Sequence, residues 1–477
     1  MNVTSHDFLI LLPEIALSIL AFIIQMLGVS KWITQQRVCN IALIGLGVVI
    51  CMILHLQMSL YGEAFAGTYV QNDCTIICKL IVFTAAALVL SNYIGYHLAN
   101  SLEFKSEYVV LIILSCVGAG VAISARDFIV LFVGLELQSL ASYVLASCSR
   151  DNENSSEAGL KYFVLGALSS CIMLFGISFL FGFTGSTSYF VIHHILAMPE
   201  LNLGLIIGAL FLICGLMFKL SIVPFHMWTP DVYEGAPIMS VSLFASMQKL
   251  SSLVVVVTIF AFCLKPVAAQ FSYFLMGIAI LSILVGSIGG VKQISLKRLM
   301  AYSTILNMGY ILIPLTLWEG NSFEVAMGYA VIYSASSIAL FALFTAALGE
   351  KAEGAQMLDI EGLGTSKKAA SAAITMVMMS MIGLPPFAGF FGKYYIINYA
   401  FGAQQYVLAA SLLIGTVISA YYYLNIIKAM YFCELKITPS RSKLNFFILL
   451  TLIISLGFTI FYSVLPMFSS GFFVSVS

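Results

Sequence analysis

The sequence predicts an all-α polytopic membrane protein of about 14 transmembrane helices, each needing about 20 apolar residues to cross the hydrocarbon. Three observations predict it. Hydrophobic residues make up 61% of the 477 residues and charged residues only 9%, where a soluble domain carries about 25% charged residues. Mean hydropathy is +1.04. The apolar runs are long and continuous, whereas a membrane β-barrel would show segments of roughly ten residues with alternating polarity. So few charges cannot cover a water-soluble body of this size. A cytosolic enzyme, a nucleic-acid binder and a disordered scaffold are thereby excluded.

The spans lie near 7–27, 37–60, 75–99, 107–124, 127–149, 156–183, 201–227, 238–263, 270–290, 297–318, 322–348, 369–400, 403–432 and 443–467. The N-terminus runs from His6 and Asp7 straight into a full-length span, so no cleavable signal is expected. Loops numbered alternately along this count place Lys31, Arg37, Lys105, Arg150, Lys161, Lys292, Lys297, Arg298, Lys351, Lys367, Lys368, Lys428, Lys436, Arg441 and Lys443 on one side. That is 15 of the 21 Lys and Arg residues, and the other side holds only Arg126 and Lys265. An error of one span would scramble this asymmetry. The positive side faces the cytoplasm or matrix, so both termini face outward. The longest inner connection, 349–368, carries Glu350, Lys351, Glu353, Asp359, Glu361, Lys367 and Lys368. It reads as a solvated interfacial segment.

Four lysines remain after the loops are subtracted. Lys79 sits near the mouth of span 3 and is expected to snorkel. Lys219, Lys249 and Lys393 fall well within spans, and Glu136 lies near the middle of span 5. A charge at the bilayer centre costs about 2.5–3.5 kcal/mol on insertion scales. One ion pair between Glu136 and a lysine, locking two helices, would leave two lysines unexplained. A chain of titratable groups crossing the bilayer accounts for all four, and proton relays use such chains. Desolvation and a nearby carboxylate act oppositely on a buried lysine's proton, so such a group exchanges it readily.

Prolines mark two breaks beside these lysines. Span 7 contains Lys219, Pro224, Phe225, His226 and Trp228, and span 12 contains Gly383, Pro385, Pro386, Phe387, Gly389, Gly392 and Lys393. Proline inside a helix frees a carbonyl and kinks the chain. Irregular backbone at membrane depth is tolerated where it is buried or lines a cavity, and paired interrupted spans point to a transport site. Aligning Pro224-Phe225 on Pro386-Phe387 gives an offset of 162 residues. That equals five spans, and an odd number inverts the second copy. The expected organisation is a three-helix segment over 1–104, a five-helix unit over 105–265 (spans 4–8), an inverted five-helix unit over 266–435 (spans 9–13) and a final helix within 436–477. Broken helices 7 and 12 fall one in each unit.

Other residues read more plainly. His226 either bridges protonatable sites or caps the broken helix. His193 and His194 lie in a short amphipathic stretch and suit an interfacial helix better than a metal site. Gly286, Gly289 and Gly290 suit close helix packing. Glu14 is expected near the outer interface, and Tyr421, Tyr422 and Tyr423 as packing or cavity-lining residues. The ten cysteines form no CxxC pair, Cys74 and Cys78 being nearest, and behave as small hydrophobes.

Several segments resemble the antiporter-like subunits of respiratory complex I, the proton-pumping NADH:quinone oxidoreductase. They are Phe218-Lys219-Leu220 with Pro224 through Pro237, then Lys297 through Thr304, then Gly383 through Phe390. Glu136-Leu137-Gln138-Ser139-Leu140 with Tyr143-Val144-Leu145 looks like the N type of bacteria, called subunit 2 in mitochondria. Lys393 stands where the M type usually carries glutamate, and the chain has no room for the lateral helix of the L type. The first three spans, absent from animal mitochondrial subunit 2, are present.

The resemblance implies roles. Glu136 looks like the span 5 glutamate that pairs with the span 7 lysine, Lys219. Lys249 looks like the central lysine that passes the proton on, and Lys393 like the lysine at the output side. It implies no metal and no cofactor in this chain, with FMN, Fe–S clusters and ubiquinone expected in other subunits. Implied partners are other membrane-arm subunits, including the M-type (subunit 4) neighbour and small membrane subunits, and lipids such as cardiolipin; nucleic acid is not among them. The implied location is the mitochondrial inner membrane with both termini toward the intermembrane space, or alternatively a bacterial plasma membrane. An Mrp-type cation/proton antiporter subunit and a non-conducting structural subunit of the membrane arm are the competing functions.

Overall fold

In the absence of water, a spanning chain must satisfy its backbone polar groups internally, and continuous apolar sequence does so as helix. The computed structural model describes residues 4–30, 33–56, 60–149, 151–199, 202–317, 321–434 and 445–464. Lys31, Arg150, Lys436, Arg441, Lys443 and the last part of the 436–477 segment lie outside the described residues.

The chain opens with α1 (Ser5–Ile10), α2 (Leu12–Val29) and α3 (Gln35–Leu56). Thr4 starts α1 by a capping box with Asp7. A small antiparallel hairpin follows, β1 (Gly62–Ala64) and β2 (Tyr69–Gln71), pairing Gly62 with Gln71 and Ala64 with Tyr69. It is an addition to the expected all-α architecture. Next come α4 (Asp73–Ala99), α5 (Ser106–Ser124), α6 (Phe128–Ala146), α7 (Glu153–Thr184) and the short α8 (Tyr189–Leu196). Asn72 caps α4 and Asp127 caps α6, each side chain accepting backbone N–H bonds. His193 and His194 lie in α8, an eight-residue helix.

Span 7 is broken where its proline predicts. α9 (Leu203–Leu220) ends at Ser221, and α10 (Trp228–Gly235) resumes after an irregular stretch. Span 8 is also broken, although it was expected to be continuous. α11 (Ile238–Ala245) and α12 (Met247–Ile259) are separated at Ser246, and a π-turn over Phe260–Leu264 follows. No proline marks this break; the Ser246 hydroxyl instead donates to the Ser242 carbonyl at 2.6 Å, a side-chain bond that competes with the helix ladder.

The rest comprises α13 (Ala268–Gly290), α14 (Leu296–Leu315), α15 (Ser322–Leu348), α16 (Leu363–Ser366), α17 (Lys368–Ile382), α18 (Ala388–Gly402), α19 (Tyr406–Phe432) and α20 (Phe446–Val464). α17 and α18 are the two halves of broken span 12. Among the described residues ten segments are long and apolar enough to cross a membrane, one of them running through α11–α13. α13 and α14 pack closely: a Cβ on Gly286 would lie 2.5 Å from the Leu306 backbone nitrogen, and on Gly289 2.3 Å from the Tyr302 ring. Gly290 lies against Tyr422 in the same way. Those three glycines are packing positions, as expected. Tyr422 and Tyr423 are buried, whereas Tyr421 is exposed.

α12 is the centre of the molecule, packing on α4, α5, α9 and α15. Two residues assigned to the inner face hold backbone groups of the protein. Lys297 is buried, with Nζ donating to the Ala236 carbonyl at 2.8 Å. Glu353 Oε2 accepts the Ile238 N–H at 3.0 Å. Together they satisfy backbone groups at the α10–α11 junction, while Glu350 and Lys351 of the same turn stay exposed.

Candidate functional site: a buried glutamate and three lysines

α6 and α9 bring Glu136 and Lys219 face to face, with Oε1 and Nζ 3.7 Å apart. The Lys219 side chain is 9% exposed and that of Glu136 22%. Lys219 Nζ donates to Ser139 Oγ at 2.6 Å, which places the ammonium against α6 close to the glutamate. Ser170 of α7 donates a short hydrogen bond to Glu136 Oε1. The carboxylate is therefore held from two helices.

Lys249 of α12 joins the same cluster through the break in span 7. Its Nζ donates to the Lys219 carbonyl at 2.8 Å and to Ser221 Oγ at 2.5 Å, and lies 4.8 Å from the centre of the Trp228 ring. Ser221 adopts φ 61°, a left-handed conformation that ends α9. The last carbonyls of a helix carry the negative end of its dipole and lack intrahelical donors, so an ammonium there is stabilised.

Lys393 of α18 shows the same chemistry at the second break. Its Nζ donates to the carbonyls of Met381 and Ile382, the end of α17, at 2.8 and 3.0 Å. It also lies 5.2 Å from the centre of the Tyr310 ring. Among the described residues no carboxylate forms an ion pair with Lys249 or Lys393. The structure thus brings Glu136, Lys219 and Lys249 into one bonded cluster and places Lys393 at a separate, equivalent helix end. The His226 carbonyl accepts the Thr229 N–H at 2.9 Å, while its Nδ1 is buried with no hydrogen-bond partner among the described residues.

Polar neighbours to which the sequence reading gave no role surround the cluster. Gln138 Nε2 donates to Ser251 Oγ at 2.7 Å, Gln248 donates to Ser142, and Tyr162 donates to Gln248 Oε1 at 3.3 Å. The available signal was the short polar interval Glu136, Gln138, Ser139, matched by Gln248, Lys249 and Ser251, inside otherwise apolar spans.

A second buried ion pair corrects one expectation and gives Glu14 a partner. Lys79 does not snorkel, and the Glu14 carboxylate is enclosed by protein beside it. Their Nζ and Oε1 lie 2.8 Å apart, with side chains 2% and 3% exposed. Lys79 also donates to the Tyr69 hydroxyl at 2.6 Å. The β-hairpin supplies that hydroxyl, and Gly120 makes room: a Cβ there would lie 2.6 Å from Glu14 Oε1. Each charge is the other's counter-ion, which removes the reason for either to reach water.

A family profile described as NADH:quinone oxidoreductase/Mrp antiporter, transmembrane, matches residues 125–419, which include all four relay candidates. An NADH-quinone oxidoreductase subunit N from Rickettsia bellii is 39% identical over 457 residues, covering 95% of this chain and 99% of that protein. The chain belongs to this family, in its subunit N branch. A second subunit N, from Parvibaculum lavamentivorans, is 36% identical over 97% of the chain. A chain of respiratory complex I from Thermus thermophilus superposes with a TM-score of 0.82 at 26% identity, covering 96% of this chain and 99% of that one. The shared fold therefore extends over nearly the whole chain, including the five helices α1–α5 before the profile begins.

Proposed function

We propose that this chain is a membrane-arm subunit of a proton-translocating NADH:quinone oxidoreductase, moving protons through Glu136, Lys219, Lys249 and Lys393. The carrying observation is the bonded Glu136–Lys219–Lys249 cluster, in which Lys249 holds the carbonyl of the very residue that faces Glu136. Quinone reduction occurs in other subunits, which hold FMN, Fe–S clusters and ubiquinone. Opening the Glu136–Lys219 pair leaves the Lys219 charge unopposed beside Lys249. Repulsion between like charges then drives the Lys249 proton toward Lys393, from which it leaves outward. His226, half-buried at the break, is the candidate bridge.

The same proposal extends to architecture. Ten membrane segments become fourteen crossings when the α11–α13 stretch counts as two and α14, α17–α18 and α20 as one each. Units 105–265 and 266–435 form the inverted repeats, supported by a lysine at the end of a broken half-helix in each. Segments 1–104 and 436–477 flank them. Partners are the membrane-arm neighbours, among them the M-type subunit, and membrane lipids including cardiolipin. The subunit N relatives are bacterial, which favours a plasma membrane over the mitochondrial inner membrane; both termini lie outside.

Glu136→Ala and Lys219→Ala test the relay in assembled complex. Both variants should lower proton pumping or turnover. Wild-type pumping ratios in both would remove the relay assignment. Sodium-dependent exchange by the chain without redox subunits would favour an Mrp-type antiporter.

A further inference from the structure

A groove of about 770 Å³ opens between α15, α17 and α20, away from the relay. One wall is a single face of α20, with Leu449, Leu452, Ile453 and Leu456 at helical spacing. These residues run about 10 Å along the helix axis. Lys367 and Lys368, which the loop count assigns to the positive side of the membrane, line its other end. Lys367 is fixed there by donating to the Ala346 and Ala347 carbonyls at 3.3 and 2.9 Å. Lys368 is exposed.

An apolar slot with a cationic end matches a molecule that is apolar along its length and anionic at one end. Basic pockets between transmembrane helices on the cytoplasmic side hold anionic lipid headgroups, each lysine contributing about 1 kcal/mol. We propose that this groove binds a diacyl phospholipid with an anionic headgroup from the cytoplasmic leaflet. Its phosphate sits at Lys367 and Lys368, and one acyl chain lies along Leu449–Leu456. This deepens the lipid-partner reading above by naming a site.

The test uses the purified complex in vesicles of phosphatidylcholine doped with phosphatidylglycerol that carries a photoactivatable acyl chain. Label should appear on the α20 peptide and be displaced by unlabelled phosphatidylglycerol but not by phosphatidylcholine. Lys368→Gln, an exposed change, should cut that label about fivefold, the factor matching one lysine. Ile453→Trp, which fills the slot and keeps both lysines, should cut it as well. Equal labelling by a phosphatidylcholine probe, unaffected by Lys368→Gln, would overturn the proposal in favour of ordinary boundary lipid. Absence of label on α20 from either probe would also overturn it, because a protein neighbour then fills the groove. Labelling elsewhere on the complex would in both cases leave the general lipid reading standing.

Discussion

Glu14→Ala would strand a buried ammonium. Lys79 Nζ lies 2.8 Å from Glu14 Oε1, and both side chains are almost fully enclosed. Removing one member of a buried pair typically costs about 3–5 kcal/mol, because the remaining charge has no counter-ion. The Tyr69 hydroxyl, 2.6 Å from Lys79 Nζ, survives the substitution, so the lower end, about 3 kcal/mol, is expected. Replacing both partners by apolar groups of similar volume is often neutral or stabilising. The double variant Glu14→Leu with Lys79→Met should therefore recover most of the loss. Retention of the chain in purified complex, followed through a temperature ramp at fixed lipid and salt, reads the effect. The refuting results are a Glu14→Ala complex as stable as wild type, or a double variant no better than the single one.

Two further outcomes follow from packing and hydrogen bonding. Gly286→Val should block the α13–α14 contact, where a Cβ meets the Leu306 backbone nitrogen at 2.5 Å, while Gly277→Ala, with nothing within 4 Å, should be silent. Overpacking costs about 1–3 kcal/mol, occasionally more, and native-gel assembly distinguishes the two. Ser251→Ala should destabilise by about 1–3 kcal/mol by depriving the Gln138 amide of its hydroxyl partner. Ser251→Thr, which keeps a hydroxyl, should restore thermal stability.

Much of this organisation is legible in the sequence because a bilayer penalises charge so heavily. Glu136, Lys219, Lys249 and Lys393 stand out as charges in apolar runs, and Pro224 and Pro385-Pro386 announce the breaks beside two of them. Helical periodicity does not reveal which lysine meets which helix end. Lys219 precedes its break and Lys393 follows its own, a mismatch at matched positions. In the structure Lys249, arriving from α12, bonds the carbonyl at the end of α9, and Lys393 bonds those at the end of α17. The span 8 break was hidden because a serine hydroxyl, rather than a proline, accompanies it. The pairing of Glu14 with Lys79 is hidden for a related reason. They are 65 positions apart, and distance along the helix alone cannot show that another span brings a counter-charge. Lys297 and Glu353 look like loop charges until the α10–α11 junction supplies their backbone partners.

The central claim is that Lys249 passes protons rather than merely stabilising the end of α9. Lys249→Ala in assembled complex, reconstituted into vesicles, gives the protons moved per electron transferred. The relay predicts a lower ratio than wild type. An unchanged ratio at normal assembly would contradict it and leave the lysine a structural cap.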